Sequence, residues 1–291
     1  MEIYLRRFTP HLSPATKKVL YQVYKIYAFI RYAIYFNKFL LFREIYINVG
    51  RDISMLPQIK LNIYEKSELD FLETISFEAN SVFWDIGANV GLYSIIFAKA
   101  NPTWKIFSFE PNTEVHKNFH KNISFNNCGN IELLPLALSD SKGKASLRIN
   151  QNRPGTSSIN SKFSKFIHSE IIECISGDEM FLSGKIPAPN LIKIDVEGHE
   201  LKVINGLKLI ISKHKPVISI EVASNVWKSQ SEFNLYLNCL NELLLIYKSG
   251  VLITNGKLEK IYSLDTKYID NSIQTLILVP SKRDSQRFLM C

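Results

Sequence analysis

Short apolar runs alternate along this chain with stretches of helical periodicity, and no other feature restricts its fold as tightly. Residues 81–86 (SVFWDI), 105–109 (KIFSF), 131–136 (IELLPL), 191–196 (LIKIDV) and 216–222 (PVISIEV) have the length and composition of strands. The first shows no alternation of apolar and polar residues, which fits a strand buried on both faces. Between these runs, residues 90–100 (VGLYSIIFAKA), 112–122 (NTEVHKNFHKN) and 200–213 read as helices, the first of them ending at Asn101-Pro102. Residues 67–77 (SELDFLETISF) predict a further helix behind a Ser67 cap, with Asp70 three residues on. Strands separated by such helices predict a mostly parallel sheet covered on both faces. The tail adds a helix near 233–247 and apparent strands at 251–254 and 275–279, which read as a hairpin closing the sheet edge.

The 291 residues suffice for one large α/β domain with an extension. Cys128, Cys174, Cys239 and Cys291 form no Cys-x-x-Cys pair. Their scatter argues against a disulfide framework or a thiolate metal site, and for a reducing, cytoplasmic compartment. The net charge of +8 is unevenly placed: residues 1–60 hold ten Lys and Arg against three acids, and the rest of the chain holds 25 against 24. A nucleic-acid binder would spread its basicity over the body of the domain, so no nucleic-acid partner is expected.

The basic N-terminal segment is also apolar. Residues 19–42 read VLYQVYKIYAFIRYAIYFNKFLLF, interrupted by Lys25, Arg31, Asn37 and Lys38. The uncharged stretches are too short to span a bilayer, and no small-residue cleavage site follows. The expectation is a helical extension over residues 1–60, ahead of a main domain over 61–291. Two roles stay open for it: a cap packed on the domain with its cationic side chains snorkelling outward, or a peripheral contact with an anionic membrane surface.

The sharpest site signal is the junction VFWDIGANVGLYS, where Asp85, Gly87, Asn89 and Gly91 lie between the first strand and its helix. Such a turn lets a ligand approach the backbone and presents helix N-terminal amides to it. Glu110 ends the second strand, where an acid is placed to take a ribose diol. Asp85 directs the choice of ligand. Its carboxylate would repel a dinucleotide pyrophosphate and attract the ammonium of an amino-acid moiety, so S-adenosylmethionine is expected rather than NAD.

DIGANVGLYS, then FSFEPN at 108–112, LALSD at 136–140 and LIKIDVEGHELKVINGL at 191–207 resemble the FkbM family of S-adenosylmethionine-dependent methyltransferases. The resemblance covers about residues 78–225. It implies a class I methyltransferase fold, Rossmann-like, with a seven-stranded sheet, and methylation of hydroxyls on a glycan, a lipid-linked sugar or a secondary metabolite. Carried over residue by residue, it implies a cofactor set of Asp85, Gly87, Asn89, Gly91, Glu110 and Asp140, and a functional block of Asp195, Glu197, Gly198 and Glu200. The chain departs from the family upstream of that block, where Ser176-Gly177 precede Asp178.

An alcohol has a pKa of roughly 15.7, so its attack on a methyl sulfonium needs proton removal or a metal. Asp195, Glu197 and His199 follow the fourth strand, beside the switch point where open α/β sheets bind ligands. His199 is the first candidate for the base, because its unperturbed pKa suits the task. Asp195 and Glu197 are candidates for orienting substrate or cofactor. A divalent cation on Asp195, Glu197 and Asp178 is the alternative route and is not favoured. The polar stretch 150–165 (NQNRPGTSSINSKFSK) reads as a lid whose Arg153, Ser157, Ser158 and Lys162 meet a polyhydroxylated or anionic acceptor. Two other functions compete. A degenerate methyltransferase fold could act as a binding module docked through its basic N-terminus, and an NAD-dependent oxidoreductase shares the glycine turn.

Overall fold

The computed structural model describes residues 40–50, 55–150, 157–159, 168–266 and 273–281, with residues 13, 16 and 269. Most of the N-terminal aromatic run, and with it the contact with an anionic surface, lies outside the described residues. So do Arg153 and Lys162.

A hairpin opens the described structure: β1 (Leu40–Phe42) pairs antiparallel with β2 (Ile45–Ile47) across Arg43 and Glu44, both left-handed. Leu40, Phe42, Ile45 and Ile47 are buried, whereas Leu41 and Tyr46 face solvent. This period of two corrects the expected helical extension at these residues, since alternation buries one side of a strand and would leave half of a helical face wet. Beyond β2 come α1 (Leu56–Lys60) and α2 (Lys66–Glu73). The hairpin is tied to α2 by Arg43, which donates to Asp70 at 2.7 Å and Glu73 at 2.5 Å. Ser67 is not the cap expected of it. Glu65 holds that place in a left-handed conformation (φ 42°), and the Ser67 hydroxyl donates instead to the carbonyl of Gly256.

The first of the expected units is β3 (Val82–Ile86), buried at all five residues, followed by the glycine turn and α3 (Leu92–Ala100). Next come β4 (Lys105–Phe109), α4 (Thr113–Asn126) and β5 (Ile131–Leu134). Asn112 caps α4 by accepting from the Glu114 amide at 3.1 Å. The helix runs a turn further than its apolar spacing predicts because Asn122 and Asn126 are committed to the hairpin, accepting from the amides of Asn48 and Tyr46, each at 2.8 Å.

The chain then forms a small second sheet that the apolar runs do not announce. β6 (Ala137–Ser139) lies parallel to β8 (His168–Ser176), and β7 (Gly143–Ile149) pairs antiparallel with β8. Only Ala137, Leu147, Ile149, Ile172 and Cys174 form its core, so its sequence reads as polar.

After α5 (Gly177–Leu182) and β9 (Leu191–Ile194), the helix expected over 200–213 is two helices, α6 (Glu200–Asn205) and α7 (Lys208–His214). They break at Gly206, where a Cβ would lie 1.9 Å from the carbonyl oxygen of Ser139. The Asp178 carboxylate restarts the helix by accepting from the amides of Leu209 (2.8 Å) and Ile210 (3.0 Å), the first turn of α7. β10 (Val217–Val222) and α8 (Gln230–Tyr247) follow, then β11 (Gly250–Thr254), β12 (Lys257–Ile261) and β13 (Gln274–Leu278).

The main sheet has the order β12-β11-β13-β10-β9-β3-β4-β5. The five strands from β10 to β5 are parallel to their neighbours, and β13 runs antiparallel between β10 and β11. Seven of these strands make the doubly wound, Rossmann-like sheet that the sequence predicts, and β12 is an eighth on the edge. The terminal hairpin is therefore β11–β12, closed by left-handed Asn255 and Gly256, while β13 pairs with β11 only after that excursion. Helices on the two faces bury separate cores, one around Trp84, Phe109, Leu207 and Tyr236, the other around Phe83, Ile95, Leu69 and Val217. No helix among the described residues is long and apolar enough to cross a membrane.

Because the α6–α7 break presses its backbone on β6, replacing Gly206 with Ala should destabilise the fold by about 1–3 kcal/mol, the usual cost of overpacking. A urea titration should show a lower midpoint with an unchanged slope; an unchanged midpoint would show that the contact relaxes freely.

Candidate functional site

Parallel register arranges the strand ends in rows. On one face, Phe83, Leu191 and Val217 are aligned at the apolar level, and Asp85, Lys193 and Ser219 one step further along. A third step brings Gly87, Asp195 and Glu221 to the strand ends on β3, β9 and β10. The same sheet face thus passes from apolar to charged over two residues, and the charged end lies where the chain turns into helices.

The glycine turn is built to bring backbone together. Gly87, Asn89 and Gly91 all have positive φ (84°, 51° and 82°). A Cβ on Gly87 would lie 1.8 Å from the carbonyl oxygen of Asp195, and one on Gly91 would lie 2.0 Å from the ring of Phe119. The turn amides are already taken. Gly87 and Ala88 donate to the Phe109 carbonyl at 2.9 and 3.2 Å, Asn89 donates to Glu110 at 2.8 Å, and Gly91 to Ala88 at 2.8 Å. What the turn offers a ligand is therefore acceptor oxygen rather than N–H. The Asn89 Oδ1 is buried with no hydrogen-bond partner. Such a surface suits ammonium and hydroxyl donors and suits a phosphate poorly.

Asp85 lies behind the turn, 1% exposed. Its Oδ2 accepts from the Ser94 amide at 3.1 Å and hydroxyl at 2.6 Å, and Ser94 in turn meets Ser108 at 2.7 Å. Burial raises its pKa, opposed by Lys193 across the strand and by Ser94. The carboxylate thus fixes the start of α3 against β4. Glu110 bridges turn and strand, its two oxygens accepting from the amides of Asn89 and Asn112, both at 2.8 Å. Burial lifts its carboxyl to about 7 against the pull of those amides. Each oxygen keeps further acceptor capacity.

That cleft, about 50 Å³, is lined by Glu110, Leu138, Ser157, Ser158, Val196 and His199, among others. Ser157 and Ser158 therefore stand on the Glu110 side. Ser158 donates to the Glu197 carbonyl at 2.6 Å, which ties its segment to the turn after β9. Asp140 lies on the surface beyond β6, with Lys202 at 3.7 Å and the Ser139 and Ser141 hydroxyls at 3.2 and 3.3 Å. Partial burial would raise its pKa, but these partners hold it below the usual carboxylate range. His199 is 5% exposed, and its Nε2 meets the Ser139 hydroxyl at 3.0 Å. Burial, helped by Lys202, pushes its pKa down to about 4, so the imidazole is neutral at physiological pH.

A second, larger cavity of about 630 Å³ opens on the other side of the turn, sharing Gly87, Asn89, Asp195 and Glu197 with the first. Its wall carries Glu65, Glu68, Lys193, Ser219, Glu221 and Thr275. Lys193 is almost fully buried, donates to Asp195 at 2.8 Å, and sits 4.5 Å over the centre of the Tyr93 ring. Desolvation works against the Lys193 charge, but the surrounding carboxylates hold its pKa well above the usual value. Glu68 accepts from Ser219 at 2.7 Å and Thr275 at 3.3 Å. Glu200 turns back on the block itself, accepting from the amides of Gly198 (3.1 Å) and Val196 (3.3 Å). Asp178, capping α7, is committed elsewhere, and no group of three or more His, Cys, Asp and Glu suited to a metal occurs among the described residues. Sequence reasoning missed Glu65, Lys193, Ser219 and Glu221. For Lys193, Ser219 and Glu221 the signal was present in LIKIDV and PVISIEV, where a polar residue recurs every second position in strands that should be apolar throughout.

The model of the methyltransferase FkbM domain matches residues 85–244, more than half of the chain. A hexuronic acid methyltransferase, AglP of Haloferax volcanii, is 36% identical over 148 residues, which are 49% of this chain and 57% of that protein. The methyltransferase sdnD of Sordaria araneosa is 25% identical over 228 residues, 68% of this chain and 76% of its own length. The chain thus spans little more than half the length of the archaeal relative. Among solved structures, the methyltransferase FkbM of Methylobacillus flagellatus aligns with a TM-score of 0.44 at 15% identity, covering 88% of this chain and 59% of that one. By its match to the family model, the chain belongs to the FkbM family of S-adenosylmethionine-dependent methyltransferases.

Proposed function

We propose that the protein transfers a methyl group from S-adenosylmethionine to a hydroxyl of a sugar-containing acceptor. The observation that carries this reading is the meeting of two cavities at one turn: the cleft lined by Glu110 and the 630 Å³ cavity lined by polar strand ends, with Gly87 and Asn89 in both walls. The residues present fit the cofactor, since Asn89, which lines both cavities, has a buried Oδ1 without a hydrogen-bond partner, an acceptor atom at their junction. When bound, S-adenosylmethionine supplies an electrophilic methyl group on a cationic sulfur. Glu110 is assigned to the ribose hydroxyls, Asn89 to the amino-acid portion, and the apolar wall of Leu136, Ala137 and Leu138 to the base. Asp85 acts on the cofactor only through the turn it braces, and Gly91 through its packing on Phe119.

The larger cavity is assigned to the acceptor. Its volume lies within the range of small-molecule sites, and its carboxylates and hydroxyls match the donors of a sugar. The named activity of the archaeal relative supports a sugar acceptor. Holding the hydroxyl beside the methyl carbon supplies much of the acceleration, because the transfer needs the three reacting centres in line. Ser157 and Ser158 are assigned to the cofactor side instead of the acceptor, and His199 to the wall between them. A neutral imidazole with a pKa of about 4 is a poor proton acceptor for an alcohol.

Calorimetric titration with S-adenosylhomocysteine tests the cofactor assignment. One saturable site is expected, weakened about tenfold or more in Glu110→Gln, which loses an acceptor oxygen while a thermal melt stays cooperative; absence of binding to the folded wild type would sink the reading. For His199, nitrogen-15 NMR should show a neutral ring down to about pH 5, and His199→Gln should keep turnover within a few-fold. A loss of two or more orders of magnitude in that variant would restore it as the base.

A further inference from the structure

The carboxylates around the two cavities differ in what already holds them. Glu110 and Glu200 spend both oxygens or their nearer lone pairs on backbone amides. Glu68 is held by two hydroxyls, Asp85 by Ser94 and Asp195 by Lys193. Glu221 is different. Its backbone is anchored, since the Tyr236 hydroxyl donates to its carbonyl at 2.5 Å, and on the wall of the large cavity its carboxyl is hydrogen-bonded to that of Asp195, a second carboxyl in place of an amide, hydroxyl or cation. It lies at the end of β10, level with Asp195 on β9, and both share that wall with Gly87 and Asn89. The acceptor hydroxyl and the cofactor turn therefore face this pair together.

We propose that Glu221 is the group that takes the proton from the acceptor hydroxyl, with Lys193 and Asp195 as the positioning pair beside it; the inference rests on the methyl-transfer reading above. As the acceptor oxygen forms its bond to the methyl carbon, the bonding pair of the S–C bond leaves with sulfur. The O–H proton passes to a Glu221 oxygen. The products are a methyl ether, a neutral thioether and a protonated Glu221, so the positive charge of the sulfonium and the negative charge of the carboxylate disappear together.

The surroundings support the division of labour. Lys193 holds Asp195 below the usual carboxylate range despite its burial. Burial, then Asp195, Glu197 and Glu200, push Glu221 well above it. Two adjacent carboxyls pushed apart in this way are a frequent sign of separate roles. The groups facing Glu221 are Asp195 and Lys193 on β9, Glu197 and Glu200 beyond it, Tyr236 on α8, Thr275 on β13, and Glu65 and Glu68 of the α2 region. The reactive form is the carboxylate, so turnover should rise with pH through the upper titration of the pair and level off above it.

The test uses the full chain, its Glu221→Gln and Glu221→Asp variants, and Glu197→Gln and Glu65→Gln for comparison. Difference infrared titration of the protein without acceptor should show protonated carboxyl stretches that are lost as pH rises, among them that of Glu110, and one component of them should be missing from Glu221→Gln. S-adenosylhomocysteine should bind Glu221→Gln within about threefold of wild type, while methyl transfer to a sugar acceptor falls by about 10²- to 10⁴-fold in kcat. Glu221→Asp should retain part of the activity with a displaced pH inflection. A carboxyl stretch of undiminished amplitude in Glu221→Gln, or turnover within threefold of wild type, overturns the inference. So does loss of that same component in Glu197→Gln or Glu65→Gln with Glu221 intact. Loss of S-adenosylhomocysteine binding by the wild type would overturn the methyl-transfer reading itself, which separates the two failures. Should Glu221→Gln fail to fold, the inflection in Glu221→Asp decides, and an unshifted inflection counts against Glu221.

Discussion

The close approach of Gly87 to the carbonyl of Asp195 determines where everything else in the site can stand. With a Cβ position 1.8 Å from that oxygen, only glycine lets the end of β3 and the end of β9 meet. The contact is reinforced on both sides: Asp195 donates its amide to Ile86 at 3.0 Å, and Gly87 donates to Phe109 on β4 at 2.9 Å. Three strand ends are therefore locked in register at one point. From that point the turn carries Asn89 into both cavities, Glu110 reaches back to the Asn89 amide, and the block after β9 folds around Glu200.

The structural consequence is a division between bracing and contact that residue type alone does not reveal. Asp85 and His199 are chemically capable, yet both are buried and hydrogen-bonded to neighbouring groups: Asp85 to Ser94, which meets Ser108, and His199 to the Ser139 hydroxyl at the end of β6. Glu110 combines the two, bracing the turn with two accepted amides while lining the cleft. Burial supplies the common electrostatic theme. It lifts Glu110 and Glu221 and depresses His199, and at Asp195 it is outweighed by Lys193 and the hydrogen bond to Glu221.

The parallel core of the fold was legible in the sequence because its strands are short, apolar and separated by helices of regular period. β3, β4, β9 and β10 lie where the apolar runs place them, within a residue or two at their ends. Elements that depend on partners were not legible. The β6–β8 sheet has five buried core residues, and Gly206 breaks a helix only because Ser139 presses on it from a distant part of the chain. β12 had a local signal in Asn255-Gly256, a turn pair suited to a two-residue hairpin, but its strand is charged and mostly exposed. The site divides similarly. Asp195, Glu197 and Glu110 were singled out by their motifs and line its cavities, while the polar alternation of LIKIDV and PVISIEV carried Lys193 and Glu221 unnoticed.

That alternation is informative because it runs against stability. A central strand of a parallel sheet is covered on both faces, and each charged residue placed there must lose its water. The Lys193–Asp195 pair recovers only part of that loss, and pairs of this kind are often no more stable than apolar residues of the same size. Apolar packing at the other end of the same strands, with Phe83, Leu191 and Val217 fully buried, offsets the deficit. The sheet is thus stable at one end and polar at the other, and the polar end coincides with the cavity and the cofactor turn. A charged row that weakens the core yet lines the larger of the two cavities is most simply understood through what that cavity has to hold.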